Sequence, residues 1–288
     1  MHWVARGDAE HLRREGLVVT SPRGDAHLTD LAVTNSGDPL PDTDVVVVAT
    51  KTINNAGIIP WLAECLAGRS ATLVILQNGF DVEQPFVEAL RGPAPDVVVV
   101  GGMSFICSAR TSPGVVAHFD YERVTLGTTD PGPRGDAAVA AVVEDLSSAG
   151  VPTEPLADLV EGRWRKLVWN IPFNGLSVVL DATTAEMVSD PDTRAMVRSL
   201  MEEVVAASEG TGHPVEKSFI EEMFDSTERM APYAPSMKLD YEARRPLELE
   251  AIYAAPVRAA EAAGVEMPRT TALWQQLAFL DRRNRNAD

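Results

Sequence analysis

The sequence predicts an α/β protein in which a doubly wound parallel sheet is followed by an all-α half. Three observations carry this. Apolar runs of strand length alternate with helix-like segments through the first half, the strand signals stop near residue 158, and the remainder has helical period. A chain of 288 residues is long enough for two domains, placed here at 1–158 and 159–288.

His2-Trp3-Val4-Ala5 is short, apolar and suited to a strand, and 8–15 reads as a helix closed by Gly16. Leu17-Val18-Val19 is another strand-like run. The clearest strand is 44–50 (DVVVVAT), whose consecutive apolar positions suit a parallel strand buried on both faces. A helix over 53–67, interrupted near Pro60, leads to a buried strand at 71–76 and then to Gln77-Asn78-Gly79. After a helical stretch to Leu90, 96–100 forms a further strand that ends in Gly101-Gly102. Ligands of such sheets bind beyond the carboxyl ends of the strands, which directs attention to Arg6, Lys51, Asn78 and Gly101. Past residue 158, Asp190-Pro191 is a helix start, an N-cap followed by proline at the first helical position, and that helix ends around Gly210 and Gly212. Further helices are expected over 215–230, 247–263 and 269–283.

Composition narrows the function. With 25 Lys and Arg against 42 Asp and Glu, the net charge of −17 argues against nucleic acid or an anionic membrane as partner. A local basic pocket for a phosphate remains compatible with it. Cys65 and Cys107 make neither a disulfide framework nor a zinc cluster, and the scattered histidines have no metal-ligand spacing, so no metal is expected. His118 and His213 read as structural or surface residues. No apolar run approaches the ~18 residues of a membrane span, and the N-terminus has no signal-peptide apolar core. These features predict a cytoplasmic protein, and the apolar helical half could support a homodimer.

The chemistry concentrates in 163–175 (RWRKLVWNIPFNG). Lys166, Asn170 and Asn174 are four apart, so on a helix they share one face with a drift of about 40° per step. A cation and two carboxamides in such a row can grip a carboxylate or polarise a carbonyl; a solvated polar stripe has the same pattern. Pro172 removes a backbone donor inside this stretch and is expected to kink the helix.

Taken with Val47-Val48-Ala49-Thr50-Lys51, Leu76-Gln77-Asn78-Gly79, Ser236-Met237 and Arg245-Pro246-Leu247-Glu248, this segment resembles the ketopantoate reductase (2-dehydropantoate 2-reductase) family over nearly the whole chain. The resemblance implies a Rossmann-like N-terminal domain and NADPH-dependent reduction of a 2-keto acid, most simply 2-dehydropantoate to pantoate in pantothenate biosynthesis. It implies that Lys166 is the general acid and that Glu248 orients it and touches the ribose side of the cofactor. Asn170, Asn174 and Ser236 would hold substrate, Asn78 would sit where cofactor and substrate meet, and Arg6, Lys51 and Ala109 would line the cofactor groove. In dinucleotide folds an arginine placed like Arg6 accommodates the 2′-phosphate of NADP.

The family opens with a strand, a G-x-G-x-x-G turn and a helix, which this sequence does not show; 2–6 corresponds to the second strand. Two explanations stand: a start assigned at an internal methionine, with roughly 20–25 further residues making most of a βα unit, or a truncated chain with impaired cofactor binding. Loss of the first strand is expected to leave a gap with two unpaired strand edges. The alternatives in function are a reductase of another 2-keto acid, a 3-hydroxy acid-type dehydrogenase, and a non-catalytic remnant.

Overall fold

The computed structural model describes residues 1–230 and 234–286. The first part contains β1 (His2–Ala5), α1 (Ala9–Glu15), β2 (Leu17–Thr20), β3 (Ala26–Leu28), β4 (Ala32–Asn35) and β5 (Val45–Val48). A 3-10 turn (Thr52–Asn54) opens α2 (Asn55–Cys65), followed by β6 (Ala71–Ile75), α3 (Gln84–Leu90), β7 (Val97–Ser112), β8 (Val115–Thr128), α4 (Pro133–Ser148) and β9 (Thr153–Pro155).

The main sheet has the order β3-β2-β8-β7-β6-β5, with β9 added alongside β8. Strands β5, β6 and β7 run parallel, as the apolar runs predict, and their valines alternate between two cores. Leu73 and Ile75 pack with Leu62, Leu66, Phe86 and Leu90 of α2 and α3, while Val74, Val98 and Val100 pack with Val139 and Val142 of α4. Burial on both faces is what a strand without polar alternation requires.

Three expectations need correction. The sheet is mixed rather than wholly parallel, because β7 returns directly as its antiparallel partner β8 through a tight turn at Gly114. Gly101 and Gly102 do not end a strand but lie inside β7. A Cβ on Gly101 would come within 2.1 Å of Glu83 Oε1 and 2.7 Å of the Leu159 side chain, so the glycines serve close packing. Helix α2 continues through Pro60, since the proline forfeits only the hydrogen bond to the residue 56 carbonyl while buried Leu62 holds the turn beyond it. Strands β1 and β4 pair with each other in a separate parallel ribbon, so β5 is hydrogen-bonded to a strand on one side only.

From Leu159 onward the described elements are helical: α5 (Leu159–Val179), α6 (Thr184–Ser189), α7 (Pro191–Gly210), α8 (Phe219–Arg229), α9 (Ser236–Glu242), a π-helical stretch (Glu250–Ala254) running into α10 (Ala255–Ala262), and α11 (Pro268–Arg285). Asp158 caps α5, its carboxylate accepting from the amides of Val160 at 2.8 Å and Glu161 at 3.1 Å. Trp164, Leu167, Val168, Ile171, Phe173 and Leu176 bury α5 on all sides, which makes it the axis of the helical part. The helix runs through Pro172 as one continuous element. Helices α6 and α9 are too short to leave a periodic signal. No helix among the described residues is long and apolar enough to cross a membrane.

Candidate active site

Helix α5 carries the polar row into the interior. Asn170 is 6% exposed and Asn174 2%, and neither side chain has a hydrogen bond among the described residues. With no partner among the described residues and their amide ends not sealed from solvent, these carboxamides are available to bond a ligand. At that burial the stripe is not a solvated face. Lys166, one turn earlier, is partly buried; its ammonium donates to the Ser104 carbonyl of β7 and stands 4.7 Å from the centroid of the Phe105 ring. Burial, reinforced by the neighbouring Arg163 charge, pushes the Lys166 pKa down to about 7. A lysine so tuned can both give and take a proton near neutrality.

The loop after β6 presents Asn78 and is held at both ends. Gln77, 2% exposed, donates to Asn55 Oδ1 at 2.7 Å, accepts from Asn55 Nδ2 at 3.0 Å and donates to the Thr50 carbonyl at 2.9 Å. Gly79 adopts φ +118°, a conformation natural to glycine, and a Cβ there would meet Ala251 Cβ at 2.5 Å. The Phe80 amide donates to the Ala251 carbonyl at 2.8 Å, and the Phe80 ring lies 4.5 Å from that of Trp164 on α5. Asn78 is half-buried between these fixed neighbours, and its side chain makes no hydrogen bond among the described residues.

Glu248 lies just before the π-helical stretch and is 4% exposed. It accepts from the Thr52 amide at 2.8 Å and the Thr52 hydroxyl at 2.9 Å, and its other oxygen is 3.4 Å from Lys51 Nζ. Lys51 is also paired with Asp240 of α9 at 2.6 Å. The end of β5 is thereby fastened to the helical part. No hydrogen bond or ion pair among the described residues joins Glu248 to Lys166, so the orienting contact implied by the resemblance is replaced by the Ser104 carbonyl and Phe105.

Helix α5, which bears Lys166, Asn170 and Asn174, packs on β7, on α9 with Ser236 at its start, and on the π-helical stretch that follows Glu248, while Lys51 reaches Asp240 and Glu248 through its ion pairs. Ser236, half-buried, begins α9. Arg6 is exposed just past β1, and Ala109 lies in the β7–β8 hairpin opposite Ala117, on a strand rather than a loop. No hydrogen bond, ion pair or ring contact among the described residues connects either to the cluster. His213, read from the sequence as a structural or surface residue, bonds Asp158 at 2.6 Å. Sequence reasoning missed Ser104, Phe105, Thr52, Glu83, Arg163 and Asp240; only Arg163 had a signal, one turn before Lys166 on the same helix face.

Basic groups past the ends of β1 and β5, together with an unbonded amide past the end of β6, suit a nicotinamide dinucleotide laid across the strand ends. No glycine-rich turn at a helix N-terminus is found among the described residues. A sheet covered by helices, joined to a helical part that supplies a tuned lysine and buried carboxamides, is an arrangement suited to an oxidoreductase.

Comparison with known proteins makes the class specific. Residues 1–131 match the family model described as ketopantoate reductase PanE/ApbA, and residues 158–281 match its C-terminal model. The chain is 41% identical over 288 residues to a 2-dehydropantoate 2-reductase of Nostoc sp., covering 99% of this chain and 89% of that protein. It is 30% identical to one of Halobacterium salinarum, covering 95% and 89%. The crystal structure of 2-dehydropantoate 2-reductase from Geobacter metallireducens superposes with a TM-score of 0.88 at 32% identity, covering 96% of this chain and 90% of that one. The chain belongs to the ketopantoate reductase family.

Proposed function

We propose that this protein reduces 2-dehydropantoate to pantoate with NADPH, the reaction that names its relatives. The observation that carries the reading is the α5 row, a lysine with a pKa near 7 followed by two buried carboxamides with no hydrogen bond among the described residues. When bound, the reduced nicotinamide supplies a hydride to the ketone carbon. The electron pair of the carbonyl then resides on oxygen, and Lys166 Nζ gives that oxygen its proton, forming the alcohol. Asn170, Asn174 and Ser236 hold the carboxylate and hydroxyl of the substrate, and Asn78 fixes the approach of carbonyl to cofactor. Arg6 and Lys51 meet phosphates, with arginine at that strand end favouring NADPH over NADH. Glu248 holds Thr52 and Lys51 in place at the ribose side.

The test is consumption of NADPH in the presence of 2-dehydropantoate, beside a panel of other 2-keto acids and with NADH in parallel. Turnover fastest with 2-dehydropantoate and NADPH supports the reading. NADPH binding without turnover of any 2-keto acid overturns it, and a preference for another keto acid reassigns the substrate.

A further inference from the structure

Arg163 is 2% exposed and Glu83, the residue before α3, is 4% exposed, so their ion pair lies inside the molecule. A buried guanidinium is costly unless its nitrogens are bonded, and all three of these donate. Its Nε donates to Glu83 Oε1 at 3.0 Å and its Nη2 to the same oxygen, Nη1 donates to the Gln77 carbonyl at 2.6 Å, and Nη2 reaches the Ile75 carbonyl at 3.4 Å. These carbonyls belong to the end of β6 and to the residue immediately before Asn78. Arg163 therefore grips the Asn78 loop from α5, the helix that carries Lys166 three residues later.

We infer that Arg163, braced by Glu83, is a positioning residue that sets Asn78 and Lys166 in one frame for the reaction. The inference rests on the proposed roles of those two residues and adds the part that aligns them. The Gln77 side chain ties the loop to Thr50 and Asn55, the Phe80–Ala251 bond ties it to the π-helical stretch, and Arg163 ties it to α5. Its charge also acts on Lys166 directly, favouring the neutral amine beyond what burial alone does. The other groups around Lys166 are the Ser104 carbonyl and Phe105 of β7, Arg123 of β8 stacked 4.8 Å from the same ring, and Glu83 behind Arg163. Only the forked geometry of arginine reaches two carbonyls and a carboxylate at once; lysine keeps the charge and loses the fork.

The experiment compares the full chain with its Arg163→Lys and Arg163→Gln variants. It reads kcat and KM with 2-dehydropantoate, Kd for NADPH, thermal unfolding, and the pH dependence of Lys166 acetylation by mass spectrometry with Lys51, Lys217 and Lys238 as internal references. Arg163→Lys is expected to lose about tenfold or more in kcat/KM at unchanged NADPH affinity, with the Lys166 labelling midpoint near that of the parent. Arg163→Gln is expected to show the same kinetic loss and a midpoint raised by about half a pH unit or more. Parental kcat/KM in Arg163→Lys overturns the positioning role, as does a loss matched by an equal loss of NADPH affinity. If Arg163→Gln does not fold, Arg163→Lys decides alone. Lys166→Met and Asn78→Ala separate the two ideas. Full activity in those variants overturns the proposed roles, whereas their inactivity beside an unaffected Arg163→Lys overturns this inference alone.

Discussion

Lys51 Nζ lies 2.6 Å from Asp240 Oδ2, an ion pair that crosses from the carboxyl end of β5 to helix α9. Asp240 is buried and also receives Arg245 Nε at 2.9 Å, while Glu248 stands on the other side of Lys51 at 3.4 Å. A lysine flanked by two carboxylates has much of its charge answered within the protein. A phosphate approaching it must compete with them.

That competition is measurable. Lys51→Ala is expected to weaken NADPH binding about tenfold, or ~1.4 kcal/mol, and Asp240→Asn to tighten it by releasing Lys51. Since Lys51 is 38% exposed, both effects should shrink in high salt. Fluorescence titration with NADPH checks this, and unchanged dissociation constants in both variants remove Lys51 from the cofactor groove.

Lys166 predicts a pH profile with a definite sign. Burial disfavours its charged form and brings the pKa to about 7, so the protonated acid that reduction needs is abundant below that pH and lost above it. For the free enzyme, kcat/KM for keto-acid reduction should be level on the acid side and fall about tenfold per unit on the alkaline side. Oxidation of the alcohol, which needs the neutral amine, should show the mirror dependence. Lys166→Met is expected to lower kcat by ~10²–10⁴-fold with NADPH affinity retained. A profile unchanged by that substitution would show that another group carries the proton.

The parts of this picture legible in the sequence are those with local periodicity. The valine runs of β5, β6 and β7 mark strands buried on both faces, and the fourfold spacing of Lys166, Asn170 and Asn174 marks one side of α5. The β7–β8 hairpin was obscured because Gly101 and Gly102 look like punctuation, yet Gly101 is small to admit Glu83 and Leu159, and Gly102 to admit Leu76 and Leu126. The clamp on Asn78 was invisible for a different reason. Arg163 and Glu83 are 80 positions apart, and a charged residue destined for burial has the same letter as one on the surface. The partner of Lys166 is a backbone carbonyl, that of Ser104, which no sequence pattern announces.

Asp158 joins the end of the strand-bearing part to α5 and predicts an acid-sensitive contribution to stability. Burial alone would raise its carboxyl; the bond to His213 and the amides of Glu161 and Val160 outweigh that and hold it below the usual aspartate value. A depressed carboxyl contributes stability that is full above the unfolded pKa of about 3.9 and is lost as pH falls through the lower folded value. Asp158→Ala should therefore cost ~1 kcal/mol at neutral pH by removing the helix cap. The difference from the parent should shrink as pH falls below about 4. Urea denaturation at several pH values tests this, and a gap that persists at low pH would assign the loss to packing.

Gly175, the residue after Asn174, offers the most direct probe of how tightly the polar row is seated. A Cβ there would meet the Tyr253 hydroxyl at 2.6 Å and Leu273 Cδ2 at 2.7 Å. That hydroxyl donates to the Ile171 carbonyl at 3.0 Å and is fully buried, so displacing it leaves an unsatisfied polar group as well as strain. Alanine gains up to ~1 kcal/mol of helix propensity over glycine, against ~1–3 kcal/mol for overpacking and a similar cost for the broken bond. Gly175→Ala should thus destabilise the protein by about 1–3 kcal/mol net and raise KM for the keto acid by shifting Asn174. Tyr253→Phe in the same chain removes the atom that clashes, and the double variant should recover about 1 kcal/mol or more relative to additivity. Strict additivity in that cycle would mean the methyl is accommodated against Leu273 alone, and that the π-helical stretch does not hold α5 in register through Tyr253.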